Sequence, residues 1–256
     1  MSKTKGSVLV TGASSGIGRA TALAFASEGW RVAVGARRKE RLDSLLPELE
    51  QAGAPACFAA QLDVTCRDDI ESFVEAMEKE FGPVDCLVNN AGKALGLEKL
   101  YDAEGSMWRE MVETNVMGVL HVTRALLPGM MERKRGHVIM VGSLAGHHGY
   151  AGGSVYCATK SAIWSLVEAM RRETLGQGIR VTTVDPGLVD TEFSPVRFEW
   201  DEEKAAKVYE GLEPLHAEDV AECILFAATR KAHVNLDRIQ IMPTIQADPW
   251  HVHRES

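Results

Sequence analysis

Tyr156 and Lys160 stand four residues apart, and Ser143 lies thirteen residues before the tyrosine. On a helix, positions i and i+4 share a face. An ammonium beside a phenol favours the phenolate and draws an unperturbed pKa of ~10 toward working pH. Such a phenol can remove the proton of an alcohol, and the Ser143 hydroxyl can hold the same alcohol or carbonyl oxygen. A Tyr-x-x-x-Lys pair by itself usually marks a surface contact, so the information lies in its conjunction with Ser143 and with a glycine-rich turn near the N-terminus.

That turn reads Thr11-Gly12-Ala13-Ser14-Ser15-Gly16-Ile17-Gly18 and links a short apolar run to a helical pattern. Gly12, Gly16 and Gly18 allow a tight turn and let the amides around Ser14, Ser15 and Ile17 approach a pyrophosphate at a helix N-terminus. The GxxxGxG spacing differs from the commoner GxGxxG dinucleotide fingerprint. Downstream, Val34-Gly35-Ala36-Arg37-Arg38-Lys39 has no carboxylate before Glu40. An acidic side chain there would accept from the ribose 2′-hydroxyl of NAD, whereas arginine pairs with the 2′-phosphate of NADP. Arg37 and Arg38 oppose a helix dipole unless an anion lies between them, so NADP is the cofactor expected.

These groups need a scaffold that brings strand ends to one edge. Short β-branched runs at 7–11, 31–36, 56–62, 84–89, 137–142, 180–184 and 238–242 alternate with helical patterns beginning after Gly16, Arg38, Arg67, Gly105, Ser154 and His216. That alternation predicts an α/β fold, a Rossmann-type doubly wound parallel sheet of about seven strands with helices on both faces, in a single domain over 1–256. Ser143 then falls at the carboxyl edge, where open sheets bind ligands. The segment 193–215 is too long for a crossover loop and mixes aromatic with acidic residues, the pattern of a substrate lid, with a small amphipathic helix patched onto the surface as the alternative.

Lys and Arg total 28 against 36 Asp and Glu, a formal charge of −8, which argues against nucleic-acid or anionic-membrane partners. No apolar run approaches the ~20 residues of a membrane span, and the start Met-Ser-Lys-Thr-Lys-Gly carries no signal-like apolar stretch. The expectation is a cytoplasmic protein. Cys57, Cys66, Cys86, Cys157 and Cys223 show neither CxxC nor zinc-like spacing, so reduced thiols and no metal are expected.

In order, the motifs 11–18, Asp63-Val64, Asn89-Asn90-Ala91-Gly92, Asn115, Ser143, Tyr156-Cys157-Ala158-Thr159-Lys160 and Pro186-Gly187 with Thr191 resemble the classical short-chain dehydrogenase/reductase family over essentially the whole chain. The resemblance implies that Asp63 and Val64 meet the adenine and that Asn90, Ala91 and Gly92 line the cofactor. Tyr156 and Lys160 would touch the cofactor too, while Asn115 holds a water linking Lys160 to solvent. Pro186, Gly187, Val189 and Thr191 would orient the nicotinamide end. It also implies a homotetramer built on the two long helices.

Lys93-Ala94-Leu95-Gly96, Gly149-Tyr150-Ala151-Gly152-Gly153, Pro186-Gly187-Leu188-Val189 and Thr191-Glu192-Phe193-Ser194 are similar to the NADP-dependent 3-hydroxy acid dehydrogenases. That branch contains serine 3-dehydrogenase and L-allo-threonine dehydrogenase. It implies a small 3-hydroxy acid substrate, and on a net-acidic protein a local cation must meet the carboxylate. Arg197 in the lid segment is the candidate, a pair with Glu199 or Glu192 being its alternative; Tyr150 and Gln246 offer secondary polar contacts. His147 and His148 read as loop residues. A broad carbonyl reductase acting on sulfoacetaldehyde-type aldehydes, a 3-oxoacyl thioester reductase and a non-catalytic NADP sensor remain as competing readings.

Overall fold

The computed structural model describes residues 5–254, so the first four residues of the start read above lie outside the described residues. Seven parallel strands form one sheet: β1 (Ser7–Thr11), β2 (Arg31–Ala36), β3 (Cys57–Gln61), β4 (Cys86–Asn89), β5 (Gly136–Val141), β6 (Ile179–Pro186) and β7 (Arg238–Ile241). Their order is β3-β2-β1-β4-β5-β6-β7. The order reverses between β1 and β4, which opens a crevice beyond their carboxyl ends.

The central strands are mostly apolar because both faces are covered, while β6 and β7 carry polar residues such as Asp185 and Arg238. On β1, Val8 and Val10 point to one face and Leu9 to the other. Val8 and Val10 pack with Phe25 of α1 (Gly16–Ser27), Leu42 and Leu45 of α2 (Lys39–Ala52) and Ile224 of a later helix. Leu9 packs with Phe73 of α3 (Arg67–Glu80) and with Leu126 and Ile163 from the long helices. The bounds of β1 and β2 match the sequence reading and those of the other strands differ by one or two residues, β6 running on to Pro186 because Asp185 and Pro186 pair with Gln240 and Ile241 of β7.

The long helix expected after Gly105 is interrupted. α4 (Gly105–Val112) passes into a single π-turn, Glu113–Met117, before α5 (Gly118–Glu132). Asn115 lies in that turn and is buried; widened turns of this kind recur at functional sites. α6 (Ser154–Glu173) presents Tyr156, Lys160 and Trp164 at four-residue intervals, hence along one face. The segment expected as a lid folds as two short helices, α7 (Phe193–Arg197) and α8 (Glu202–Tyr209), ahead of α9 (Ala217–Ala228). Among the described residues no helix is long and apolar enough to cross a membrane.

Candidate active site

A cleft of ≈ 440 Å³ opens at the carboxyl edge and is lined from one end by Gly12, Ser14, Ser15 and Arg37, and from the other by Ser143, Tyr156, Lys160 and Thr191. Ser15 precedes α1 in an extended conformation and its hydroxyl caps none of the first-turn amides; no acidic residue occupies that turn. The positive end of the helix is therefore open to an anion. Gly12 has φ +66, and a Cβ there would lie 2.9 Å from the Ala91 Cα, so only glycine lets the two loops meet. Asn90 ties them, its Nδ2 donating to the Thr11 carbonyl at 2.8 Å.

The Arg38 guanidinium donates to the Ser14 and Ser15 hydroxyls at 3.0 and 2.8 Å, bringing a cation against the turn. It also pairs with Glu192 at 2.9 Å, and Glu192 pairs with Arg41 at 2.6 Å. Arg37 is exposed on the cleft wall. Asp63 faces the same wall and accepts from the Thr65 amide and hydroxyl. Burial would raise its pKa, but these bonds and the charges of Arg37 and Lys93 outweigh it and hold the carboxyl below its usual value. Val64, Ala91, Gly92, Pro186, Gly187 and Val189 complete the lining. Gly16 lies against Thr191, whose hydroxyl accepts from the Phe193 amide, and Ile17 also lines the cleft. Arg41 and its pairing with Glu192 went unnoticed in the sequence, since nothing local tells that residues 151 positions apart will meet.

At the reacting end, Tyr156 is buried and stacks at 5.6 Å on Phe193 of the lid segment. Burial pushes its phenol above the ordinary value, against the lowering effects of the Ser143 hydroxyl and Arg197. Lys160 donates to the Val141 carbonyl at 2.9 Å and lies 6.0 Å from the tyrosine ring centre. Burial lowers its own pKa to about 8, with Asp185 acting the other way. Burial, and not the lowering expected from the lysine, thus sets the direction of the phenol's shift. The Asn115 amide accepts from the Lys93 amide and donates to the Lys93 carbonyl, both at 2.8 Å, and to Thr159 at 3.1 Å. It thereby pins the loop after β4 to α6.

Arg197 pairs with neither Glu199 nor Glu192. Its Nε donates to the Gly96 carbonyl at 2.9 Å and its Nη1 to the Tyr150 hydroxyl at 3.0 Å, leaving the guanidinium 5.8 Å from the Tyr156 ring. Between α7 and α8, Glu199 and Trp200 take φ of +51 and +67, a strained bend for bulky residues, and Trp200 lines the cleft. Gln246 is elsewhere: its Oε1 accepts from the Leu188 amide and its Nε2 donates to the Asp248 carbonyl, so it braces the turn after Pro186 instead of facing the cleft. His147, read as a loop residue, has only 12% of its side chain exposed and binds Asp185 at 2.8 Å.

Residues 6–202 match the family model described as short chain dehydrogenase. An NADP-dependent 3-hydroxy acid dehydrogenase of Schizosaccharomyces pombe is 43% identical over 97% of this chain and 96% of its own. A serine 3-dehydrogenase of Agrobacterium fabrum is 39% identical over 98% and 99%. A solved closed form of serine dehydrogenase complexed with NADP+ superposes with a TM-score of 0.91 at 43% identity, covering 97% of this chain and all of that one. With the family's model matched over most of its length and relatives aligned nearly end to end, the chain belongs to the short-chain dehydrogenase family and is an oxidoreductase.

Proposed function

We propose that the protein transfers a hydride between NADP(H) and the 3-hydroxyl or 3-oxo carbon of a small 3-hydroxy acid. The residues present fit NADP: an uncapped helix N-terminus behind a glycine turn, with Arg37 and Arg38 beside it, matches a pyrophosphate plus a further phosphate. Bound, the cofactor supplies or accepts the hydride. Tyr156 supplies or accepts the proton at the substrate oxygen, Ser143 orients that oxygen, and the Lys160 ammonium favours the phenolate when the proton leaves. The assembly is proposed to be a homotetramer, a reading supported by Val112 on α4 and Trp164 on α6, both large apolar side chains left exposed in one chain.

The observation that carries the substrate class is Arg197. The lid segment brings a guanidinium beside the catalytic phenol with Nη2 free of any acceptor among the described residues. A three-carbon hydroxy acid whose carbinol meets Tyr156 carries its carboxylate within reach of that group. A charge-assisted bond of this kind is worth roughly 1.5–3 kcal/mol, or about one to two decades in kcat/KM. Arg197→Ala is expected to lose that much on a 3-hydroxy acid and little on a neutral alcohol of similar size, with Arg197→Lys in between. Equal losses on both substrates would mean that Arg197 only braces the lid, and a general carbonyl reductase would be the better description.

A further inference from the structure

Behind Lys160 lies a charged cluster that the reaction as described does not use. Asp185, near the end of β6, is 3% exposed. Its Oδ2 meets the His147 Nε2 at 2.8 Å, the Thr183 hydroxyl at 3.3 Å and the Arg238 Nε at 3.7 Å. Arg238 comes from β7 and lies flat over Trp164, 4.0 Å from its ring centre. Its Nη1 approaches the His147 Nδ1 at 3.4 Å. A guanidinium can only donate, so Nδ1 accepts and Nε2 carries the hydrogen given to Asp185.

This cluster is built against the catalytic segment from behind. A Cβ at Gly142 would run into the Asp185 Oδ1, and one at Gly146 would lie 2.8 Å from the Lys160 carbonyl oxygen. The strand end and turn from Val141 to His147 are therefore sandwiched between Asp185 on one side and Lys160 on the other. Lys160 donates to the Val141 carbonyl while the Asp185 carboxylate rests on the next residue, Gly142. Ser161 fastens the same turn by donating to the Gly146 carbonyl at 2.7 Å. A buried ammonium with one carbonyl acceptor is costly unless a countercharge stands near it.

Resting on the reading of Tyr156 and Lys160 as the acid/base pair, we infer that Asp185 is a positioning residue: the buried countercharge that keeps Lys160 an ammonium, held in place by His147 and Arg238. Among the described residues, the charged and titratable groups around the pair are then accounted for. Tyr156 on its own helix and Asp185 from β6 face Lys160. His147 from the turn, Arg238 from β7 and Lys160 from α6 face Asp185. Tyr150 from the loop after β5, Arg197 from the lid segment and Cys157 from α6 face Tyr156. Asp185 is the acidic member of that set and the counterweight to burial, which by itself pulls Lys160 down.

The decisive measurement follows the 13Cε resonance of Lys160 against pH in the cofactor-free full-length protein, assigned by its loss in Lys160→Arg. The native midpoint is expected near 8. Asp185→Asn keeps the shape and removes the charge, and should lower the midpoint by about one pH unit or more. Arg238→Gln removes the cation competing for Asp185 and should raise it. Opposite signs are the signature, since loosened packing would hydrate Lys160 and move both variants upward. NADPH-driven reduction needs the ammonium and should fall at pH 8 by about fivefold in Asp185→Asn, the consequence of a one-unit shift. His147→Gln retains an N–H for Asp185 and should hold the native midpoint, whereas His147→Leu should not. An unmoved midpoint in Asp185→Asn overturns the inference. Should that variant not fold, Arg238→Gln is read against the charge-preserving Arg238→Lys: an upward shift in the Gln variant alone supports the inference, while equal shifts in both, no shift or a downward one ends it. Tyr156→Phe separates the two claims, because an active Tyr156→Phe enzyme removes the acid/base reading, while an inactive one with unresponsive Lys160 removes only the role of Asp185.

Discussion

At neutral pH a phenol buried as deeply as that of Tyr156 holds its proton, its pKa being raised by burial, while Lys160 near 8 is still mostly charged. That combination is the acid form needed to reduce a carbonyl. Reduction is therefore expected to be sustained below about pH 8 and to decline as pH rises through the Lys160 value. Oxidation of the alcohol needs the phenolate, which burial pushes above the ordinary phenol range, so it should still be climbing at pH values above the Lys160 midpoint. Tyr156→Phe leaves the ring and its contact with Phe193 in place and removes the proton carrier. Turnover is expected to fall by roughly two to four decades with nucleotide affinity little changed, measured by steady-state rates beside a fluorescence titration with NADPH. A Phe variant of near-native rate would show that another group moves the proton.

The π-turn at Glu113–Met117 is the clearest case of an element made for one side chain. Widening the helix by one residue rotates Asn115 into the protein, where its amide satisfies both the N–H and the C=O of Lys93. Replacing Asn115 by Ala leaves two polar backbone groups poorly paired, which costs about 1–3 kcal/mol each when they are buried. A lowered urea midpoint with an unchanged m value is the expected result. The sequence could identify Asn115 by its place among the motifs, but not the widened turn, because its residues read as ordinary helix. The strands and their order in the chain were legible for the opposite reason: buried parallel strands are continuous apolar runs, and glycine turns announce their ends. What stayed hidden depends on contacts across the sheet. His147, Asp185 and Arg238 become one cluster only because β5, β6 and β7 are neighbours, and the Arg38–Glu192 pair joins residues 154 positions apart. Gln246 is the converse: a polar residue near the right end of the chain that the fold spends on a turn.

Across the molecule, the nucleotide would touch the ends of β1, β2, β4 and β6 together with α1 and the lid segment, so its binding free energy is shared by much of the sheet. At about 100 times its Kd, NADP should add ~2.7 kcal/mol of stability, a rise of roughly 5–10 °C in Tm for a chain of this size. NAD at the same concentration should do much less, and Arg37→Ala with Arg38→Ala should erase the difference; an equal response to both nucleotides would remove the assignment of those arginines to the 2′-phosphate. The Arg38–Glu192–Arg41 pairs reach further than affinity. They stitch the base of the lid segment to the start of α2 over the phosphate end of the cleft, so a nucleotide must part that stitch to enter or leave, whereas a small acid need not. The expected kinetics are compulsory-order, with nucleotide first on and last off. Turnover limited by nucleotide release should quicken as salt weakens these part-buried pairs, and Glu192→Gln should speed release without altering which nucleotide is preferred. Product inhibition by NADP+ that is competitive against NADPH and noncompetitive against the carbonyl acid would display that order; a random-order pattern would show that the stitch opens too readily to matter.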